Sequence, residues 1–245
     1  MIASEHIKCT EQADSRFVLF DLDGTLTDPA PGITASCAYA LRRFGIEISD
    51  LSTLRCYIGP PLVQSFQRFH GLSPEEAARA LKVYREYFGV RGLFENSVYD
   101  GIPQLLARLR GDGYTLLTAT SKPEPYTVQI LEHFGLLSFF DGIGANTMDE
   151  TRADKAAVIR HIAAQYPTLS PENSLMIGDR LYDIEGAHAC GLRAVGVLYG
   201  YGSRAELEEA GADLIAPTVD ALYELIRAAL PAAGAKGSKT PGIGI

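Results

Sequence analysis

An unbroken apolar run, Phe17-Val18-Leu19-Phe20, stops abruptly at Asp21-Leu22-Asp23-Gly24-Thr25-Leu26-Thr27. Strand formers followed by a residue that lets the backbone turn sharply predict a buried strand and its end. Asp28-Pro29-Ala30-Pro31-Gly32 is turn chemistry that continues neither strand nor helix. The pattern then becomes helical. Ile33, Cys37, Ala40, Leu41 and Phe44 recur at three- and four-residue steps, and Gly45 ends them. Ile58-Gly59-Pro60-Pro61-Leu62 is a rigid break, after which Val63, Phe66 and Phe69 share a helical face. Ser73-Pro74-Glu75-Glu76 has capping-box spacing with proline at the first helical position, and leads into Ala77, Leu81, Tyr84 and Phe88. The stretch from about Gly32 to Asn96 is therefore expected to be all helical.

From Tyr99 onward the period changes. Ile102, Leu105, Leu106 and Leu109 predict a short helix, and Tyr114 to Thr120 a strand. Val128 to Phe134 is expected to be helical, Phe140 to Ala145 extended, Ala156 to Ala164 helical and Asn173 to Ile177 extended. A helix from Ile184 to Cys190, a strand from Ala194 to Leu198, a helix from Ala205 to Glu209, a strand at Leu214 to Ala216 and a helix from Val219 to Leu230 complete the alternation. Apolar strands alternating with helices predict an α/β fold, a parallel sheet covered on both faces. Residues 15–30 and 97–230 form the expected core, residues 31–96 an inserted all-helical cap, and residues 231–245 a flexible tail with little to bury.

Composition narrows the class. The 245 residues carry 47% hydrophobic and 21% charged positions, enough for a well-filled core. A net charge of -8 without a basic block argues against nucleic acid as a ligand. Met1 to Arg16 is interrupted by His6, Lys8, Glu11 and Asp14, so no secretory leader is expected. No apolar run approaches the ~20 residues that span a bilayer. Cys9, Cys37, Cys56 and Cys190 show no paired spacing and are expected to be reduced thiols, three of them buried, in a cytoplasmic protein.

Ligands of open parallel sheets sit beyond the C-terminal ends of the strands. Those ends carry Asp21 and Asp23, which alternation puts on one side of the strand, then Thr120, Ser121 and Lys122, then Asp179 with Asp183 four residues on; Lys155 stands beside the Phe140 strand. Two like charges that close need a cation between them or a proton on one. The set suits phosphoryl transfer, because a carboxylate approaching a phosphate dianion meets repulsion of several kcal/mol per charge pair at ~4 Å and an effective dielectric near ~20. Mg²⁺ and a lysine relieve that repulsion. Asp21 and Asp179 suit the ion, with Asp183 as an outer or water-bridged partner, while Asp23 is free to move a proton.

Asp21-Leu22-Asp23-Gly24-Thr25, Thr120-Ser121-Lys122-Pro123, Lys155 and Gly178-Asp179-Arg180-Leu181-Tyr182-Asp183 resemble the four ordered motifs of the haloacid dehalogenase superfamily. More narrowly, the chain resembles the phosphoglycolate phosphatase-like branch. Ile58-Gly59-Pro60-Pro61-Leu62, Gly92-Leu93-Phe94-Glu95-Asn96 and Leu198-Tyr199-Gly200-Tyr201-Gly202 are similar to its 5'-nucleotidase-like members. The resemblance implies a Rossmann-like core, a helical cap and a Mg²⁺-dependent phosphatase of small phosphorylated metabolites, nucleoside 5'-monophosphates or phosphoglycolate. It implies Asp21 as nucleophile forming an aspartyl-phosphate and Asp23 as acid and base with its carbonyl on Mg²⁺. It further implies Thr120 on the phosphate with Ser121 as the alternative, Lys155 on the phosphate and Asp21, and Asp179 and Asp183 at the metal. Gly24, Thr25, Gly59 and Pro60 complete the expected substrate contacts; proline usually follows the family's lysine, and Ala156 stands there instead.

Other readings stay open on the residues alone. Asp183 serves equally as a helix cap, and Gly59-Pro60-Pro61 as a connector. Lys122 and Arg180 are expected to be local ion pairs or solvated charges, Arg55 and Arg85 to lie on a solvated helix face, and the five histidines to pack or face solvent. A sugar-phosphate phosphomutase would use the same Asp23, and a non-catalytic phosphate-ester-binding protein would keep the fold. A dehalogenase needs neither Asp23 nor Asp179, and an ion pump would need membrane helices.

Overall fold

The computed structural model describes residues 15–231. Cys9, His6, the rest of the N-terminal segment and residues 232–245 of the expected tail lie outside the described residues. Six parallel strands form the central sheet: β1 (Arg16–Phe20), β4 (Tyr114–Pro123), β5 (Gly142–Asn146), β6 (Ser174–Gly178), β7 (Arg193–Val197) and β8 (Leu214–Ala216), in the order β5-β4-β1-β6-β7-β8. β1 is central, with Phe20 opposite Thr118 on one side and Ile177 on the other.

Because side chains alternate across a strand, the apolar run of β1 serves two cores at once. Val18 and Phe20 join Leu116, Leu175, Ile177 and Val195 on one face. Helices α4 (Ile102–Gly111), α5 (Glu124–His133) and α9 (Val219–Ala229) cover it through Leu105, Leu106, Ile130, Leu222 and Ile226. Phe17 and Leu19 join Leu117, Met176 and Ala194 on the other, beneath α6 (Lys155–Ala163), α7 (Leu181–His188) and α8 (Arg204–Glu209). The doubly covered parallel sheet expected from the strand pattern is what the chain forms.

One feature is absent from the sequence pattern. Residues Thr27–Asp28 (β2) and Ser97–Val98 (β3) pair antiparallel, Thr27 opposite Val98, and bracket the helical segment with a two-stranded ribbon. Two residues are too few for a period, so such a ribbon leaves no hydropathy signal. Between its strands lie α1 (Ala30–Arg42), a 3₁₀ segment Leu51–Tyr57, α2 (Leu62–His70), α3 (Pro74–Tyr87) and a π-helical turn Phe88–Gly92. The capping box forms as expected: the Glu76 N–H donates to Ser73 Oγ at 3.2 Å, and the Ser73 N–H to Glu76 Oε2 at 2.9 Å. Leu41, Leu54, Phe66, Leu81 and Leu93 carry this block into the same core as Val18 and Phe20.

Some boundaries move. β4 runs on past Thr120 to Pro123, with a register shift against β5 between those residues. The strand expected from Phe140 starts at Gly142, after a 3₁₀ turn at Leu137–Phe139. The helix expected from Ile184 starts at Leu181, because Asp183 Oδ2 accepts the Arg180 N–H at 3.0 Å and caps the first turn. Of the described cysteines only Cys37 is buried; Cys56 is exposed and Cys190 half-buried, which corrects the expectation of three buried thiols. All three are free. No helix among the described residues is long and apolar enough to cross a membrane.

Candidate active site

The residues singled out at the strand ends converge at the C-terminal edge of the sheet. Asp21 follows β1 directly, and Asp179 follows its neighbour β6. Asp183 comes from the first turn of α7, and Lys155 is the first residue of α6. Lys155 Nζ lies 2.8 Å from Asp21 Oδ1, 2.7 Å from Asp183 Oδ1 and 2.8 Å from the Ala119 carbonyl, so its three donors are all used. α7 approaches this lysine closely because Gly186 faces it: a Cβ there would stand 2.6 Å from Lys155 Cβ. Burial alone would push the Lys155 ammonium down, but the carboxylates of Asp183 and Asp21 outweigh it and the net direction is up, firmly charged.

Oxygens of Asp21, Asp179 and Asp183, all buried, lie within 4.8 Å of one another. Asp179 Oδ2 accepts the Tyr201 N–H at 2.7 Å, and Thr25 donates its hydroxyl to Asp179 Oδ1 at 3.4 Å. Burial, then repulsion from Asp183 and Asp21, pushes the Asp179 carboxyl well up; burial raises Asp183 to about 6 against the pull of Lys155. Three carboxylates gather around one lysine, which reaches only Asp21 and Asp183, so the cluster is short of positive charge. That donor chemistry fits a hard divalent cation.

Asp23 turns the other way. Its Oδ2 meets Lys122 Nζ at 2.7 Å, while its Oδ1 is buried without a hydrogen-bond partner. Burial raises the Asp23 carboxyl more than Lys122 lowers it. Of the two expectations for Lys122 the ion pair holds and solvation does not: it is buried, reaches across from β4 to Asp23, and lies 4.5 Å from the centroid of Phe88, at the start of the π-helical turn. Thr120 is buried at the bulge of β4, where its Oγ1 accepts the Lys122 N–H at 3.2 Å.

A cleft opens above these groups, lined by Asp21, Asp23, Thr120, Ser121, Lys155 and Asp183 from below and by Gly59, Pro60 and Pro61 from the helical block. Gly24 and Thr25 are not among its lining residues; both pack against Asp179, and Gly24 has a φ of +90°.

Residues 18–197 match the family model described as haloacid dehalogenase-like hydrolase. The chain belongs to that family. It is accordingly an enzyme, a hydrolase of the phosphatase type. A protein of Pseudomonas aeruginosa named 5'-nucleotidase is 48% identical over 190 residues, 78% of this chain and 86% of that relative. A Mycobacterium tuberculosis protein named tyrosine-protein kinase PtkA is 39% identical over 213 residues, 86% of this chain and 72% of its own. The crystal structure of a predicted phosphatase from Clostridium acetobutylicum superposes with a TM-score of 0.84 at 46% identity, covering 86% of this chain and 98% of that one.

In this haloacid dehalogenase-like hydrolase the cleft is also lined by Tyr84 and Phe88, which hydropathy marked only as a helix's apolar face, and by Tyr126, Asn146 and Glu150, which it gave no reason to single out. Tyr84 and Phe88 stack with centroids 5.1 Å apart, and Tyr126 meets Phe88 edge-on at 5.4 Å. Arg85, expected on a solvated face, is half-buried and pairs with Glu150 at 2.8 Å. Arg180 is not solvated either; its Nε pairs with Glu206 at 2.8 Å and its guanidinium donates to the Ile58 carbonyl, tying α7 to the helical block. Arg55 is exposed, as expected. A helix period marks which face is apolar; it does not say which charged residue meets a loop 65 positions away.

Proposed function

We propose that the protein is a cytoplasmic, Mg²⁺-dependent phosphomonoesterase that hydrolyses a small phosphorylated metabolite, a nucleoside 5'-monophosphate or phosphoglycolate, through an aspartyl-phosphate. The observation that carries this reading is the opposition of Asp21, held by Lys155 at 2.8 Å, and Asp23, whose buried Oδ1 is unpartnered at the same cleft. Residues 15–30 and 97–230 act as the catalytic core, and residues 31–96 as the cap that encloses the leaving group.

Asp21 attacks phosphorus, and the bond to the ester oxygen breaks as that oxygen takes a proton from Asp23. A carboxyl raised by burial is suited to carry that proton. Asp23 then takes a proton from the water that cleaves the aspartyl-phosphate, which returns both side chains to their starting state. Lys155 holds Asp21 in place and counters the phosphate charge, and Thr120 and Ser121 donate to phosphate oxygens. Asp21, Asp179 and Asp183, with the Asp23 carbonyl, are the groups that would hold Mg²⁺; when bound it supplies positive charge against the repulsion between carboxylate and phosphate. Gly24 and Thr25 set the position of Asp179, and Gly59 and Pro60 meet the leaving group.

A phosphate-release screen over nucleoside monophosphates, phosphoglycolate and p-nitrophenyl phosphate tests the reading. Turnover should require Mg²⁺, vanish with a chelator and return on adding the ion back. Asp21→Asn should abolish it. Activity that survives chelation or that substitution ends the proposal, and so does phosphate delivered to an added tyrosine peptide in place of water.

A further inference from the structure

Every cation lining the cleft already has a carboxylate partner among the described residues: Lys155 has Asp21 and Asp183, Lys122 has Asp23, Arg180 has Glu206 and Arg85 has Glu150. The first three pairs hold the reacting carboxylates or tie α7 to Ile58. Arg85–Glu150 does neither. It joins α3 to the loop between β5 and α6, at 2.8 Å, lines the same cleft as Tyr84, Phe88 and Tyr126, and pairs with none of the reacting carboxylates. The two side chains are 22% and 27% exposed, so the pair is partly shielded from water. Glu150 holds its position with a φ of +62°, the one positive φ among the described non-glycine residues. A glutamate keeps that backbone only where its surroundings impose it.

We propose that Glu150 is a specificity-determining residue that selects the charge of the leaving group. The inference rests on the phosphomonoesterase reading and deepens it. By occupying Arg85, Glu150 withholds the cation that a second anion on the substrate would otherwise recruit. A leaving group with its own carboxylate must either displace Glu150 or lie beside it, and both put like charges together in a partly buried wall. An uncharged leaving group meets no such opposition and finds the aromatic wall of Tyr84, Phe88 and Tyr126. Exclusion by a resident like charge is discrimination by repulsion rather than by fit.

The test compares two esters of similar size, 2-phosphoglycolate and 2-hydroxyethyl phosphate, whose leaving group carries no charge. Wild-type kcat/KM should favour the hydroxyethyl ester. Glu150→Gln should raise the ratio of phosphoglycolate to hydroxyethyl phosphate by about tenfold, mainly through KM, because Arg85 is released. The double variant Arg85→Gln/Glu150→Gln should lose that gain. Should Glu150→Gln fail to fold, Glu150→Asn carries no charge, suits the left-handed backbone and repeats the measurement. A ratio unmoved by either neutral variant, or a gain that persists without Arg85, overturns the role of Glu150 while leaving the phosphatase reading intact. A wild-type protein that turns over neither ester nor p-nitrophenyl phosphate overturns both.

Discussion

Gly24→Ala is the sharpest test of how the backbone places Asp179. A Cβ at this position would stand 2.2 Å from Asp179 Oδ2 and 2.6 Å from its Cγ, against the 3.4 Å at which ordinary contact begins. The carboxylate must therefore retreat by about 1.2 Å, or the turn must open by as much. Retreat breaks the 2.7 Å bond from the Tyr201 N–H and the 3.4 Å bond from Thr25. Alanine at a φ of +90° adds strain of about 1–3 kcal/mol, which lowers the melting temperature by roughly 2–12 °C for a domain of this size. The effect on function should exceed the effect on stability. A displacement near 1 Å at a catalytic group costs on the order of 100-fold, and loss of support behind a metal ligand roughly 10–100-fold in affinity. Phosphate release measured against Mg²⁺ concentration, with circular dichroism to confirm the fold, should show half-saturation moved upward at least tenfold and maximal turnover reduced. A folded variant whose half-saturation and turnover stay within twofold of wild type would refute the claim that Gly24 positions Asp179.

Two further outcomes follow from one buried and one exposed pair. Lys155→Met leaves Asp21 and Asp183 without their shared cation, and removing one partner of a buried pair costs about 3–5 kcal/mol. The metal-free melting temperature should fall by roughly 6–20 °C; a divalent cation should recover more of it in the variant than in wild type, and a metal-free midpoint equal to wild type would contradict the pairing. Asp213 accepts from the His188 ring at 2.9 Å and from the Ala194 N–H at 2.8 Å, linking α7, which carries Asp183, to β7. Burial pushes its carboxyl up, but these hydrogen bonds outweigh it and hold the carboxyl below the ordinary range. A depressed folded-state value contributes stability that is present above the unfolded value near ~3.9 and is lost as pH falls through the folded value. With both side chains over a third exposed, the contribution is below about 1 kcal/mol. Wild type should melt no more than about 2–4 °C above Asp213→Asn at pH 6, and the gap should close between about pH 4 and pH 2; a gap constant with pH would remove the pair from the account.

Hydropathy alone was enough to predict the covered parallel sheet, the helical stretch between its first strand and the rest, and the polar edge. Those features follow from local rules: a strand buried on both faces must be continuously apolar, a helix repeats every three or four positions, and polar residues gather where an apolar strand ends. The ordered acid, hydroxyl and lysine motifs were legible for the same reason, since each ends its own strand or opens its own helix. What only the tertiary structure decided is who meets whom. Lys155 lies 134 positions from Asp21, and Lys122, expected to be a local ion pair or a solvated charge, follows the bulge in β4 and pairs with Asp23. Arg85 has the pattern of a surface arginine, yet a left-handed turn at Glu150 brings a carboxylate to it. Such pairings depend on strand order, register and single backbone angles, and a shift of one residue reverses the face a side chain presents. No period along the chain records them.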